Sequence, residues 1–279
     1  MSGVLYIVAT PIGNLGDMTA RAIDTLKSAD IIACEDTRTS GKLLSFFNIN
    51  TPTIAYHEHN ADSQTQKLID KLTAGQSIAL ISDAGTPLVS DPGFRLVKAA
   101  HDDGITVVPI VGACAMIAAL SAAGLPSDKF SFIGFLPAKS HGRIKTLQAW
   151  QARTETLIFY EAPHRIIDSL SDMVAVFGAK RQAALCRELT KTFETIKKLP
   201  LGELLDFVQN DGNQQKGEIV LVVAGSNNVQ HAQDYDDWLL RIAKELPPKK
   251  AAGIVADVLG LKKSAVYDRL MALQNQPSD

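Results

Sequence analysis

Cysteine is scarce in this sequence. Three residues, Cys34, Cys114 and Cys186, are too few and too scattered for a disulfide framework or a CxxC metal site. An excess of one charge is missing too: 28 Lys and Arg stand against 30 Asp and Glu, a formal net charge of −2. That excludes a bulk polyanion binder, so any nucleic-acid contact must use local basic patches. Aromatic residues make up only 6%, which leaves Tyr56, Phe135 and Tyr160 as the obvious stacking platforms for bases. No apolar run approaches the roughly 20 residues of a membrane-spanning helix. The opening MSGVLYIVATPIG has a short apolar run with no basic region before it. It reads as a strand, not a signal peptide, and a cytoplasmic protein without membrane contact is expected. What is present is ordinary: 46% hydrophobic and 21% charged residues over 279 positions, enough for about two domains.

Apolar β-rich runs alternate with helical patterns along most of the chain. Strands are expected at Val4–Ala9, Ile31–Cys34, Ser77–Ile81 and Thr106–Ile110, with helices over Thr19–Ser28, Ser63–Ala74, Phe94–Asp102 and Ala115–Ala123. A second set runs through strands Lys129–Gly134, Thr156–Tyr160, Gln182–Arg187 and Glu218–Ala224, with helices Arg165–Val176 and Leu201–Gln209. Asn210–Gly217 is polar and reads as a turn. Uniformly apolar strands separated by helices imply a mostly parallel sheet covered on both faces. Two α/β halves follow, residues 1–115 and 116–228. After Gly225 the polar stretch Ser226–Asp237 reads as a linker. A helical extension then occupies 229–279, with helices over Trp238–Leu246, Lys249–Leu259 and Lys262–Leu273 and a break at Gly260-Leu261. Helix, glycine turn, helix resembles a helix-turn-helix. Its seven basic residues are matched by seven acids, so packing or docking on RNA is favoured over reading DNA.

Polar chemistry collects where strands end. The first strand runs into Ala9-Thr-Pro-Ile-Gly-Asn-Leu-Gly-Asp17, which is neither GxGxxG nor the phosphate loop GxxxxGK[ST]. The next ends in Cys34-Glu-Asp-Thr-Arg38, either a polar reaction floor or an acid pair stabilised by a helix N-terminus. Ser77–Ile81 leads into the thirteen-residue stretch Ile81-Ser-Asp-Ala-Gly-Thr-Pro-Leu-Val-Ser-Asp-Pro-Gly93. Plain connections need about four to six residues, so this loop is suited to hold a small ligand. Phe159-Tyr-Glu-Ala-Pro-His-Arg165 and Arg187-Glu-Leu-Thr-Lys191 end later strands. His57 and His59, placed on one face of a strand, permit a metal, but no third ligand is evident and none is expected. Two basic tracts, Lys139–Arg153 and Lys180–Lys198, are either phosphate-contacting surfaces or solvated helix faces.

Taken together, these motifs resemble the tetrapyrrole-methylase superfamily of S-adenosylmethionine-dependent enzymes, in its ribosomal small-subunit RNA (cytidine-2′-O-)-methyltransferase branch. The resemblance covers nearly the whole chain. It rests on the turn at 9–17, Glu35-Asp-Thr-Arg38, the long loop, Phe132-Ile-Gly-Phe-Leu-Pro-Ala-Lys139 and Phe159–Arg165. It implies two α/β domains with the methyl donor folded in the cleft between them, a small helical extension, a homodimer and no metal. Asp83 would take polar groups of the donor, with Gly85, Leu88 and Val89 along its wall. Pro11 falls in the first turn, Cys114-Ala115 at a Ser/Thr-Ala pair, and Tyr160, Leu189 and Gly217 near the donor. Two motifs depart from the pattern: the superfamily's GPG turn reads Pro11-Ile-Gly13, and Pro-Gly-Pro-Cys-Ala reads Val111-Gly-Ala-Cys-Ala115. The implied reaction methylates the ribose 2′-hydroxyl of a cytidine in the decoding region of 16S rRNA within the small subunit. A positioned base helps remove the hydroxyl proton. Glu35 and Asp36 are the candidates, with His59 and Glu161 in reserve, and Arg38 and Arg187 would hold flanking phosphates. Two rivals remain, a tetrapyrrole C-methyltransferase on the same fold and a non-enzymatic nucleic-acid-binding regulator.

Overall fold

Residue 78 to residue 81 reads Ile-Ala-Leu-Ile, and all four side chains are buried. A strand exposes alternate side chains to opposite faces, so this one must be covered twice. The computed structural model, which describes residues 2–226, 235–259 and 261–274, shows how. β1 (Val4–Val8), β2 (Ile31–Cys34), β3 (Thr53–Ala55), β4 (Ile78–Ile81) and β5 (Thr106–Ile110) form a wholly parallel sheet in the order β3-β2-β4-β1-β5. Helices α1 (Ala20–Ser28), α2 (Thr37–Phe46), α3 (Ala61–Thr73) and α4 (Phe94–Asp102) flank it. Ile78 and Leu80 join Leu68 and Leu72 of α3 and Leu96 of α4 in one core. Ala79 and Ile81 join Ala22 and Leu26 of α1 and Leu44 of α2 in the other. Because every strand is parallel, all five C-terminal ends lie along one edge of the sheet.

The second half departs from the expected pattern. After α5 (Ala115–Ala122) come β6 (Phe130–Phe135), α6 (Ser140–Trp150), β7 (Thr156–Glu161), α7 (Ile166–Phe177), β8 (Gln182–Arg187), β9 (Thr195–Pro200), α8 (Leu201–Asn210) and β10 (Ile219–Val223). The sheet order is β6-β7-β10-β8-β9, and only the β6–β7 pair is parallel. A mostly parallel arrangement therefore holds for the first sheet alone. Runs such as Ile219–Val223 are apolar because both faces are covered, and double coverage does not dictate strand direction. Val220 and Val222 meet Ala119 and Leu120 of α5, and Ile12 of the first turn joins the same core. Leu221 and Val223 face the side covered by α7 and α8. Both sheets belong to one compact unit, residues 1–151 and 155–225. The polar stretch at 210–217 holds a short 3-10 turn, Gly212–Gln215.

A second unit comprises residues 152–154 and 226–279. Its helices α9 (Asp236–Glu245), α10 (Pro248–Leu259) and α11 (Lys263–Gln274) bury Tyr235, Leu239, Val255, Val266 and Leu270 among small alanines. Arg269 grips Asp236 at 2.6 Å. The backbone N–H of Leu261 donates to Ala256 at 2.9 Å and closes the end of α10. Gly260 of the expected break, most of the expected linker (227–234) and the expected boundary at 228–229 lie outside the described residues. No helix among the described residues is long and apolar enough to cross a membrane.

Candidate active site

Beyond β1 the chain stays tied to the sheet. Thr10 and Gly85 exchange backbone hydrogen bonds of 2.8 and 3.0 Å, so the loops after the neighbouring strands β1 and β4 are laced together. The buried Thr10 hydroxyl reaches the Ser82 carbonyl at 3.3 Å. Gly85 has φ +81° with Ile12 Cγ2 only 3.3 Å from where a Cβ would stand, so any other residue there would be strained and crowded. Thr86 Oγ1 donates to the Ala113 carbonyl at 3.0 Å, fastening the long loop to the start of α5. The positive-φ non-glycine residues among those described are Asn48, Leu88, Ser90, Glu188 and Thr190. Four of the five lie in the loops after β4 and β8, and such strained backbone clusters at ligand sites.

Those loops enclose a cavity of about 430 Å³. From the loop after β4 come Asp83, Gly85 and Val89, and from the start of α5 come Cys114 and Ala115. Tyr160 enters from β7, Leu189 from beyond β8, and Gly217 from just before β10. Eight expected positions thus meet in one space. Pro11 lines a second, adjoining cavity of about 360 Å³. The expected catalytic residues Glu35, Asp36 and Arg38 lie outside both linings, as does Leu88. Its side chain turns inward to the core between the sheet and α3 and α4, against Gly93. Residues that sequence reasoning did not single out also line the first cavity, notably Ile12, Asp91 and Glu218. Asp91 was legible as the second carboxylate of the long loop, but nothing in sequence aims it inward.

The electrostatics separate the carboxylates. Burial raises Glu35 above the ordinary carboxylate range, and Asp91, Asp83 and Asp36 push it further. Burial likewise raises Asp91, opposed by a Ser82 hydrogen bond. Asp36 moves the other way, lowered by the Arg38 side chain and backbone N–H. It is the N-cap of α2, accepting from Arg38 N at 2.8 Å and Arg38 Nη2 at 3.0 Å. The helix-capping alternative therefore describes Asp36, whose own N–H donates to Asp83 at 3.2 Å. Tyr160 is pushed up to about 12, by burial first and Cys114 next, so it stays a neutral donor. Its hydroxyl accepts from Met116 N at 3.2 Å, and Phe132 and Phe135 meet its ring edge-on.

Several expected contacts are structural instead. Arg187 is buried and donates to Gln214 Oε1 and to the Lys216 and Phe193 carbonyls, so it cannot hold a phosphate. Glu161 reaches the first cavity but is buried and accepts from Arg165, Ala162 N and Ser169 Oγ, so its carboxylate is held in a local network anchored by Arg165. Tyr56 is 1% exposed and hydrogen-bonded to Thr65 Oγ1, a core residue and not a platform. His57 and His59 follow β3 in a turn, not on a strand face, with ring centroids 6.1 Å apart. No group of three or more potential ligands among the described residues could hold a metal. In the basic tracts, Arg143 is buried against Asp172 at 2.6 Å. Arg181 bonds the Ala224 and Gln151 carbonyls, and Lys191 bridges Glu188 and Glu218.

Comparison with known proteins agrees with this architecture. Residues 4–205 match the model of the Tetrapyrrole (Corrin/Porphyrin) Methylases, and residues 229–274 match the RsmI C-terminal HTH domain. A Vibrio cholerae protein named ribosomal RNA small subunit methyltransferase I is 55% identical over 267 residues, 95% of this chain and 93% of that one. Its namesake from Pseudomonas aeruginosa is 53% identical over 99% of this chain and 98% of its own. Uroporphyrin-III-C-methyltransferase from Thermus thermophilus has the same fold, with a TM-score of 0.57 at 19% identity over 80% of this chain and 94% of that one. Diphthine synthase gives 0.60 at 15% over 80% and 90%. The chain belongs to the tetrapyrrole (corrin/porphyrin) methylases, in the branch of its relatives named ribosomal RNA small subunit methyltransferase I.

Proposed function

We propose that this chain is an S-adenosylmethionine-dependent methyltransferase acting on the ribose 2′-hydroxyl of a cytidine in 16S rRNA. The observation that carries it is the cavity at the joined ends of β1 and β4, in a chain more than half identical to rRNA methyltransferases over almost its whole length. The cavity suits the donor in size and chemistry. Its volume is within the usual range for small-molecule sites. Ile12, Val89 and Leu189 offer apolar walls for an adenine, Asp83 and Asp91 suit cationic groups, and α5 begins at the cavity with no cap from Cys114, its Met116 N–H being taken by the Tyr160 hydroxyl. S-adenosylmethionine supplies a methyl group already activated by its sulfonium.

The chain's own residues then orient and deprotonate. Gly85 and Gly217 leave backbone open to the cavity, and Glu188 packs where a Gly217 side chain would stand. Glu35 is the proposed base: unlike Asp36 it is not tied into a helix cap, and its raised pKa suits proton uptake. Asp36 holds Arg38 and the start of α2. Donor-binding roles are proposed for Pro11, Asp83, Gly85, Val89, Cys114, Ala115, Tyr160, Leu189 and Gly217, with Leu88 supporting the loop from beneath. The substrate setting is the small subunit in the cytoplasm. The proposed assembly is a homodimer, supported by exposed Val111, Ile117 and Phe193. Light scattering at low concentration that gives a clean 30.0 kDa species would count against the dimer. The decisive test offers radiolabelled donor with small subunits lacking the modification, or with porphyrinogens. Label in the rRNA ribose is expected; label only in the tetrapyrrole would overturn the reading.

A further inference from the structure

Helix α2 carries Arg38, Lys42 and Phe46 at intervals of four, so they share one side of the helix. Phe46 is 61% exposed, whereas its neighbour Phe47 is half-buried on the core and meets it edge-on at 5.0 Å. The ring is therefore braced from behind and open in front. Lys42 is exposed and makes no ion pair among the described residues, unlike Arg38, whose charge is answered by Asp36. Lys42 and Phe46, with Leu15 and Lys191, line the second cavity of about 360 Å³. That cavity shares Ile12, Asp83, Ala84 and Glu218 with the first. One end is thus aromatic and basic, and the other carries Asp83 and the Lys191–Glu218 ion pair and is continuous with the proposed donor site.

We infer that this second cavity receives a nucleotide of the RNA substrate, its base stacked on Phe46 and its phosphate drawn to Lys42. The inference rests on the reading that the substrate is RNA. Continuity with the donor site sets the orientation. At that end Glu218 is answered by Lys191 at 2.8 Å, and Asp83 offers a carboxylate to a ribose hydroxyl, so the sugar faces the donor while the base lies on Phe46 and its phosphate beside Lys42. An unstacked base is the form in which single-stranded RNA is recognised, and an exposed ring beside a cation is the matching platform.

Two measurements test this. Small subunits lacking the modification are cross-linked to the wild-type protein with ultraviolet light, and the modified peptide is identified by mass spectrometry. In parallel, methyl transfer and donor affinity are measured for Phe46→Ala, Phe46→Tyr and Lys42→Ala. A cross-link in the peptide bearing Phe46 is expected. Phe46→Ala should raise KM for the subunit at least about fivefold, the low end for loss of a base–aromatic stack. Phe46→Tyr should stay within about twofold of wild type, because the ring survives. Calorimetric affinity for S-adenosylmethionine should be unchanged in all three variants. An unchanged KM in Phe46→Ala, donor affinity falling in step with KM, or cross-links confined to other peptides would overturn the inference. A cross-link at Phe46 without methyl transfer by wild type would retain the RNA site while overturning the reaction proposed above.

Discussion

Two regions of this molecule carry its most conspicuous charge, and they use it in opposite ways. Along the C-terminal edge of the first sheet, Glu35 is raised by burial and by Asp91, Asp83 and Asp36, and Asp91 is raised by burial and Asp83. In the tracts 139–153 and 180–198, which look like phosphate-binding surfaces in sequence, most of the cations already have local partners. Arg143 has Asp172, Arg181 and Lys198 have backbone carbonyls, and Lys191 has two glutamates. A charge written in sequence is a resource for binding only if folding leaves it unanswered. Destabilised carboxylates beside a cavity are a better guide to chemistry than a run of lysines.

The sharpest way to break that contrast is Arg143→Ala. If Arg143 is structural, its loss strands the largely buried Asp172 and lowers stability by about 3–5 kcal/mol in denaturant titrations. Replacing both partners together, Arg143→Met with Asp172→Leu, should recover most of the loss. A substitution that left stability intact but weakened RNA binding would return the tract to the phosphate surface.

Glu35→Gln probes the other side. Methyl transfer should fall by roughly a hundredfold, as for loss of a positioned general base. Stability at neutral pH should rise. The fold raises the pKa of Glu35, so the native state binds more protons than the unfolded chain between the ordinary carboxylate value and the raised one. Stability therefore falls as pH climbs through that window, and the penalty is complete above it. Glutamine removes the penalty, so its advantage in melting temperature should vanish in acid. Asp36→Asn is the control: it keeps a capping oxygen, and transfer should change by only a few-fold.

Asp83→Ala should weaken donor binding by more than ~1 kcal/mol if its carboxylate bonds the charged donor. Calorimetry with S-adenosylmethionine and with its demethylated product, in the presence of chelator, measures it. Retained affinity would move the donor's polar contacts to Asp91.

How much of this was legible depends on what each signal measures. Ile31–Cys34, Phe94–Asp102, Thr106–Ile110 and Gln182–Arg187 emerge as expected because the strands are short, mostly apolar runs and the helix has amphipathic spacing. Four elements do not. α2 reads TRTSGKLLSF and α6 reads SHGRIKTLQAW, both polar and glycine-bearing, with only two buried side chains each. β3 is three residues long, and β9 is an edge strand with Lys197 and Lys198 exposed, which suits an unpaired edge but hides the strand. Missing α2 meant missing Phe46, since only a helix places it beside Lys42. The residues of the proposed donor cavity were legible as a group because they sit in long motifs that resemble a family. The fates of Arg143 and Arg187 were not, because their partners lie as far as 29 residues away in sequence.

The smallest expected effect sharpens the comparison furthest. Lys145 stands two residues from Arg143 on the same helix but is exposed. Lys145→Ala should leave stability within ~0.5 kcal/mol of wild type, as surface changes usually do, and leave donor affinity untouched. If Lys145 meets a phosphate, the slope of log affinity for the subunit against log salt should become shallower by about 0.7, one counterion's share on a single strand. Arg143→Met with Asp172→Leu should leave that slope unchanged, because a buried, paired guanidinium releases no counterion. Equal slopes for the Lys145 variant and wild type would make α6 a solvated face throughout. An equal fall in both variants would mean that the buried arginine opens onto RNA, and the contrast between the two regions would fail.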